Sequence, residues 1–124
     1  MHDRHYSVEQ ANAAIAWVRD RVEKMRAARE QLGDDEARAA LSDAAPTNGG
    51  GAPGMVISEA FLDLRGALIE LQEMDVVLRD LERGLLDFPA LRDGREVYLC
   101  LEDGEDEIGY WHDLEAGYGG REPL

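Results

Sequence analysis

The sequence predicts an α+β protein that is mainly α: a long antiparallel helical hairpin with a coiled-coil-like contact, followed by a small C-terminal β-hairpin or three-stranded antiparallel sheet. Apolar residues recur at helical spacing over residues 8–32 and again over residues 55–83. After residue 84, alternating apolar segments are separated by glycine-containing turns. A chain of 124 residues is long enough for one hydrophobic core, so residues 1–124 are predicted to form a single domain.

Helix one is predicted over residues 8–32. Ser7 is a suitable N-cap residue, and Gln10 three positions later completes a capping box. The apolar positions then recur every three or four residues until Gly33 ends the pattern. These positions are Ala11, Ile15, Val18, Val22, Met25 and Leu32.

Helix two is predicted over residues 55–83, with Gly84 as its C′ residue. Its apolar seam consists of Ile57, Phe61, Leu64, Leu68, Leu71, Met74, Leu78 and Leu81. Residues 33–54 between the helices are rich in glycine, alanine and proline, and are predicted to form a flexible linker. The first half of this linker has a composition that would extend helix one or form a short helical turn.

Helix two carries a second apolar stripe that a lone hairpin would leave in water. It consists of Leu62, Gly66, Ile69, Val76 and Val77. The C-terminal part of the chain or a second copy of the hairpin would cover it. A homodimer that associates through its helices is therefore predicted.

The C-terminal part is predicted to form strands over residues 85–113 and an irregular tail over residues 114–124. A turn of two or four residues around Gly104 would pair residues whose numbers sum to an odd value. That register places His112 on the same face as Leu99 and Leu101, and Cys100 on the opposite face with Trp111. A dyad of Cys100 and His112 is therefore disfavoured.

The charge balance limits the partners of the chain. It has 13 Lys and Arg against 27 Asp and Glu, a formal net charge of −14. Such a chain repels nucleic acid and anionic membrane surfaces, and a basic protein surface is the partner it would suit. No run of eighteen apolar residues and no signal peptide is present, so a cytoplasmic protein is expected.

The candidate chemical residues lie near the C-terminus. The chain's single cysteine, Cys100, is surrounded in sequence by carboxylates, which favours a small buried hydrophobe over an activated thiol. His112 with Asp113 and Glu105, or with Asp87, has the ligand types of a divalent-metal site, although no spacing identifies one. No catalytic residue and no cofactor is predicted beyond this metal alternative.

Three segments carry a resemblance to a known family. They are the start "YSVEQANAAIAWV", the junction "GLLDFPALRDGREVYLC" and the ending "GEDEIGYWHDLEAGYGGREPL". With these segments the whole chain resembles domain-of-unknown-function family 2203, although Leu101 stands where that family often has tryptophan. The resemblance implies a bacterial cytoplasmic protein of unknown activity, and some members carry a cell-division initiation label.

Two functional hypotheses follow. The favoured one is a non-enzymatic protein-interaction module that self-associates through its helices and presents an aromatic, acidic β-hairpin. The alternative is a metal-dependent or small-molecule-binding protein with its site at the C-terminal β-hairpin around His112. The residues expected to mediate interaction are Trp17, Leu62, Ile69, Val76, Tyr98, Tyr110 and Trp111.

Overall fold

A computed structural model describes residues 1–42 and 58–124. Within these two ranges, three helices precede a five-stranded antiparallel sheet in which each strand pairs with its neighbours in chain order, from β1 to β5. The helices are α1 (Val8–Glu30), α2 (Asp34–Leu41) and α3 (Glu59–Glu73), and a short 3-10 helix spans Tyr118–Gly120. The strands are β1 (Val77–Asp80), β2 (Leu85–Arg92), β3 (Arg95–Leu101), β4 (Tyr110–Asp113) and β5 (Glu122–Pro123).

The start of the first helix is confirmed. The Ser7 hydroxyl accepts a hydrogen bond from the Gln10 backbone N–H at 3.0 Å, and the Gln10 side chain accepts one from the Ser7 N–H at 2.9 Å. These two bonds satisfy N–H groups that have no partner inside the helix. Its buried residues are Ala11, Ile15, Val18, Val22, Met25 and Ala28.

The predicted long helical hairpin with a coiled-coil contact is wrong. The helix expected over residues 55–83 ends at Glu73, because Asp75 adopts a left-handed conformation with φ of 59°. The chain then continues as β1 instead of helix. In this segment Met74, Leu78 and Leu81 fit a helical period, while Val76 and Leu78 fit the two-residue period of a strand. Tertiary packing resolves this ambiguity in favour of the strand.

The predicted linker is also partly structured. Residues 34–41 form α2, whose Ala37 and Ala40 are buried against the core. From α3, the Arg65 guanidinium donates to the Ser42 carbonyl oxygen at 2.6 Å. The remainder of the predicted linker, residues 43–54, and the predicted start of helix two, residues 55–57, lie outside the described residues.

The sheet is larger than the predicted β-hairpin or three-stranded sheet, because β1 and β5 form its edges and β2 runs through Pro89. The tail predicted to be irregular, residues 114–124, contains the 3-10 helix and β5. Pro89 pairs with Tyr98 of β3, and its own carbonyl accepts from the Tyr6 N–H at 2.7 Å. The nitrogen and carbonyl of one residue in an antiparallel strand point to the same side. The missing N–H of Pro89 is therefore on the β1 side of β2, at a position beyond the Val77–Asp87 pair. A sheet tolerates proline there because no neighbouring strand needs that donor.

The sheet has two faces of different character. One face packs on α1 and α3, and its residues in the main core are Leu86, Phe88, Ala90, Val97, Leu99, Leu101 and Trp111. We call the opposite face the second face; it carries Asp87, Cys100 and His112. All three are buried, and none of them belongs to the main hydrophobic core that the helices share. This face holds the polar groups considered below.

The predicted register between β3 and β4 is wrong. The structure pairs Leu99 with Trp111 and Tyr98 with His112, so the paired numbers sum to an even value. The connection between the last paired residues, Cys100 and Tyr110, is nine residues long (101–109) instead of a tight turn. It is fixed to α1 because the Ile108 N–H donates to the Asn12 side-chain oxygen at 2.7 Å. This contact joins the connection to α1, and it cannot be read from the turn residues.

The alternation along β2 makes a testable prediction. Phe88 is 0% exposed and its ring packs edge-on against Tyr6 with 5.2 Å between centroids, so Phe88→Ala should lower the free energy of unfolding by about 3–5 kcal/mol. Leu91→Ala, at a position 55% exposed on the same strand, should change it by less than about 0.5 kcal/mol. Urea denaturation measures both, and equal effects would contradict the assigned faces.

Candidate metal centre on the second face of the sheet

Asp87, Cys100 and His112 form a buried cluster on three adjacent strands. Asp87 of β2 lies directly opposite Cys100 of β3, and His112 of β4 lies one diagonal step away. A carboxylate oxygen, the sulfur and a ring nitrogen all lie within 4.8 Å of one another. The three residues are only 1%, 1% and 2% exposed. We call this group the Asp87 cluster.

The His112 ring is held by hydrogen bonds at both nitrogens. Its Nδ1 lies 2.7 Å from the Asp113 carbonyl oxygen, which can only accept, so Nδ1 carries a proton and donates it. Its Nε2 lies 2.9 Å from Asp87 Oδ1. Two lone pairs at that distance would repel, so a proton lies between the nitrogen and the carboxyl group. The ring is thereby fixed with Nε2 directed into the cluster.

Arg79 holds the second oxygen of the Asp87 carboxylate. Its Nε donates to Oδ2 at 2.8 Å, and its guanidinium lies over the Tyr98 ring, 5.0 Å from the centroid. The pairing of β1 with β2 shifts register between Leu78 and Asp80, so Arg79 is the extra residue of a β-bulge. Bulges redirect a side chain out of the regular alternation. This one directs Arg79 to the buried carboxylate.

Cys100 is not arranged as a nucleophile. Burial, together with the negative charge of Asp87, raises the pKa of the thiol from 9.0 to about 12. The His112 nitrogen that could act as a base is bonded to Asp87 and the other to a backbone carbonyl. A reactive cysteine needs a base in reach and a lowered pKa, and neither is present in this cluster. The prediction that Cys100 is buried is confirmed.

Two of the predicted metal ligands, Asp113 and Glu105, are not part of the cluster. The Asp113 carboxylate binds Arg95 at 2.5 Å, and the Glu105 carboxylate binds Arg121 at 2.7 Å. His112 and Asp87, the carboxylate named as its alternative partner, both belong to the cluster. Cys100 was missed as a neighbour of His112 because the odd-sum register placed it on the opposite face. The observed register places Asp87, Cys100 and His112 on the same face of the sheet.

The residues predicted to mediate interaction are scattered over the structure. Leu62 and Tyr110 are 53% and 38% exposed, while Trp17 and Ile69 are partly buried. Val76, Tyr98 and Trp111 are buried within the chain. Because Val76 and Val77 follow the end of α3, the helical part of the second stripe shrinks to Leu62, Gly66 and Ile69. The predicted homodimer and basic partner stay predictions.

A comparison with family models identifies the chain. Residues 4–124 match the model described as "Uncharacterized conserved protein (DUF2203)", so the chain belongs to this family of uncharacterized conserved proteins. The description supplies no activity, and it supports neither the bacterial nor the cell-division label. No curated protein and no solved structure gave a significant match. In residues 1–42 and 58–124, none of the helices has the length and apolarity needed to cross a membrane.

The raised pKa of Cys100 predicts a pH dependence of stability. The folded thiol keeps its proton up to about pH 12, whereas the unfolded thiol loses it near pH 9.0. The stability that Cys100 contributes is therefore complete below pH 9.0 and is lost as the pH rises toward about 12. Over that interval the urea midpoint of the wild type should fall more steeply than that of Cys100→Ser. Parallel curves would contradict the raised pKa.

Proposed function

We propose that this protein binds a zinc-like divalent transition-metal ion through Asp87, Cys100 and His112, as a metal-binding rather than a catalytic protein. The observation that carries the proposal is the convergence of three different ligand atoms within 4.8 Å on one sheet face. Imidazole nitrogen, thiolate sulfur and carboxylate oxygen are the donors that zinc takes in proteins. Thiolate in the set favours zinc over magnesium or calcium, which take oxygen ligands.

The distances suit a tetrahedral ion after a small adjustment. Zinc lies about 2.0–2.1 Å from nitrogen and oxygen ligands, which places two such ligands about 3.4 Å apart. His112 Nε2 and Asp87 Oδ1 are 2.9 Å apart around their shared proton, so they need to separate by about half an ångström. The ion would replace that proton, and its charge would favour the Cys100 thiolate.

The surroundings of the cluster resemble the outer shell of known metal sites. A ligating histidine usually donates its other ring N–H to a carbonyl or carboxylate, and His112 Nδ1 does so to Asp113. Ligating carboxylates are usually hydrogen-bonded as well, and Arg79 binds the free oxygen of Asp87. Both ligands are therefore oriented before an ion arrives, which lowers the cost of ordering them.

The position of the cluster supports binding without catalysis. A cavity of about 440 Å³ among the described residues is lined by His2, Leu41 and Asp75, with parts of α3 and β1, and no cluster residue lines it. The Asp87 cluster itself is 1–2% exposed. A catalytic zinc keeps an open coordination position that a substrate can reach. A buried site suits an ion that stabilises the fold, or one whose concentration the protein senses, better than it suits a catalytic ion.

Metal content tests the proposal. Protein purified without a polyhistidine tag, freed of metal and dialysed against zinc should retain about one equivalent, because three ligands converge at one centre. At free zinc a hundredfold above its dissociation constant, binding adds about 2.7 kcal/mol and should raise the Tm by roughly 8 °C. Elemental analysis and calorimetry measure these values. Less than about a tenth of an equivalent would contradict the proposal.

Cobalt substitution and matched variants identify the ligands. Co²⁺ should give a near-ultraviolet thiolate charge-transfer band, and Cys100→Ser should abolish it because the chain has one cysteine. Asp113→Asn and Glu105→Gln should keep the band, since those carboxylates bind Arg95 and Arg121. The double variant His2→Gln with His5→Gln controls for the N-terminal histidines. A band that survives Cys100→Ser would overturn the assignment.

A further inference from the structure

The Asp87 cluster is buried, so an ion can reach it only if part of its cover moves. Arg79 is an exposed residue that contacts the cluster directly: its side chain is 42% exposed, while that of its partner Asp87 is 2% exposed. The partly exposed guanidinium of Arg79 therefore contacts the buried Asp87 carboxylate through one hydrogen bond of 2.8 Å. Tyr98 lies beside it, with its ring 5.6 Å from that of His112.

Arg79 also occupies the least constrained position around the cluster. Its strand, β1, has four residues and forms the edge of the sheet, where it pairs with β2 alone. The β-bulge removes one regular pairing at this residue. Segments with few strand bonds open locally at lower cost than the interior of a sheet. Arg121, which lies close enough to Cys100 for its charge to act on the pKa of the thiol, is more firmly held: its side chain is 11% exposed and binds Glu105 through two hydrogen bonds.

We propose that Arg79 is the gate of the Asp87 cluster: its guanidinium closes the cluster as a resident cation, and it must swing away from Asp87 before a metal ion enters. The inference rests on the proposed metal binding. The guanidinium must leave Asp87 while the ion passes, which slows entry, and it can bind Oδ2 again once the ion lies on the Oδ1 side. The contact of the Arg79 guanidinium with the face of the Tyr98 ring favours the closed position. The Tyr98 hydroxyl is held in turn by a hydrogen bond with His2 Nε2 at 2.8 Å.

The test uses the modification rate of Cys100 by N-ethylmaleimide and the rate of zinc uptake from a fluorescent zinc indicator. Arg79→Met should raise both rates by about tenfold or more, the change expected when one charge-assisted hydrogen bond is lost. Arg83→Met is the matched control, since Arg83 is similarly exposed at 43% but binds Glu102, and should leave both rates within about twofold. Arg79→Lys keeps the positive charge but lacks the planar guanidinium, so its two rates should lie between those of the wild type and those of Arg79→Met.

Denaturant separates gate opening from unfolding. With a local gate, the N-ethylmaleimide rate of wild type and of Arg79→Met is nearly independent of urea well below the unfolding midpoint. A rate that follows global unfolding, or equal rates for wild type and Arg79→Met, would overturn the gate. If zinc binds at one equivalent but wild type and Arg79→Met show equal rates, the gate is contradicted and the proposed metal binding is supported. If modification accelerates while no variant binds zinc, the gate stands and the metal function falls.

Discussion

The hydrogen bond between His112 Nε2 and Asp87 Oδ1 is the constraint on which the second face of the sheet depends. It joins two side chains that are each about 2% exposed, across the whole width of β3. A buried polar pair is tolerable only while each partner satisfies the other, and removing one partner typically costs 3–5 kcal/mol. The pair therefore requires the even-sum register of β3 and β4, since a shift by one residue would turn His112 to the other face.

The remaining features of this face follow from that pair. Asp87 needs a donor for its second oxygen, and the bulge in β1 supplies Arg79. Cys100, opposite Asp87, is kept protonated by burial and by the neighbouring charge, which raises its pKa. The same three groups form a convergent ligand set, so one arrangement accounts both for an inert thiol without metal and for the proposed affinity for zinc. For a family described as uncharacterized, this assigns a chemical hypothesis to particular residues.

Parts of the fold are predictable from local sequence because local physics determines them. The capping box at Ser7 and the seam of α1 each depend on residues three or four positions apart. Gly84 was predicted as the C′ residue of helix two; it has φ of 60°, but it lies in the turn between β1 and β2 instead of at a helix end. The end of α3 at Asp75 was missed, because apolar residues after it fit both a helical and a strand period.

The centre of the candidate site was half predictable. His112 was singled out from sequence, but its partners depend on the register, and the connection between the two strands is held by a contact of Asn12 with Ile108 across 96 positions. No pattern in the loop itself contains that contact. The side chains of Asp113 and Glu105 were expected at the centre and instead bind Arg95 and Arg121. Arg79 was not singled out, because its approach to Asp87 requires a strand where a helix was expected.

Nitrogen-15 NMR of the His112 ring in metal-free protein tests the central interaction most directly. The account predicts two slowly exchanging ring-associated protons, one on Nδ1 bonded to the Asp113 carbonyl and one bridging Nε2 and Asp87, because both lie in a buried site. The bridging proton should disappear when one equivalent of zinc is added. A ring with one protonated nitrogen and no bridging proton, unchanged by zinc, would contradict both the pair and the metal centre.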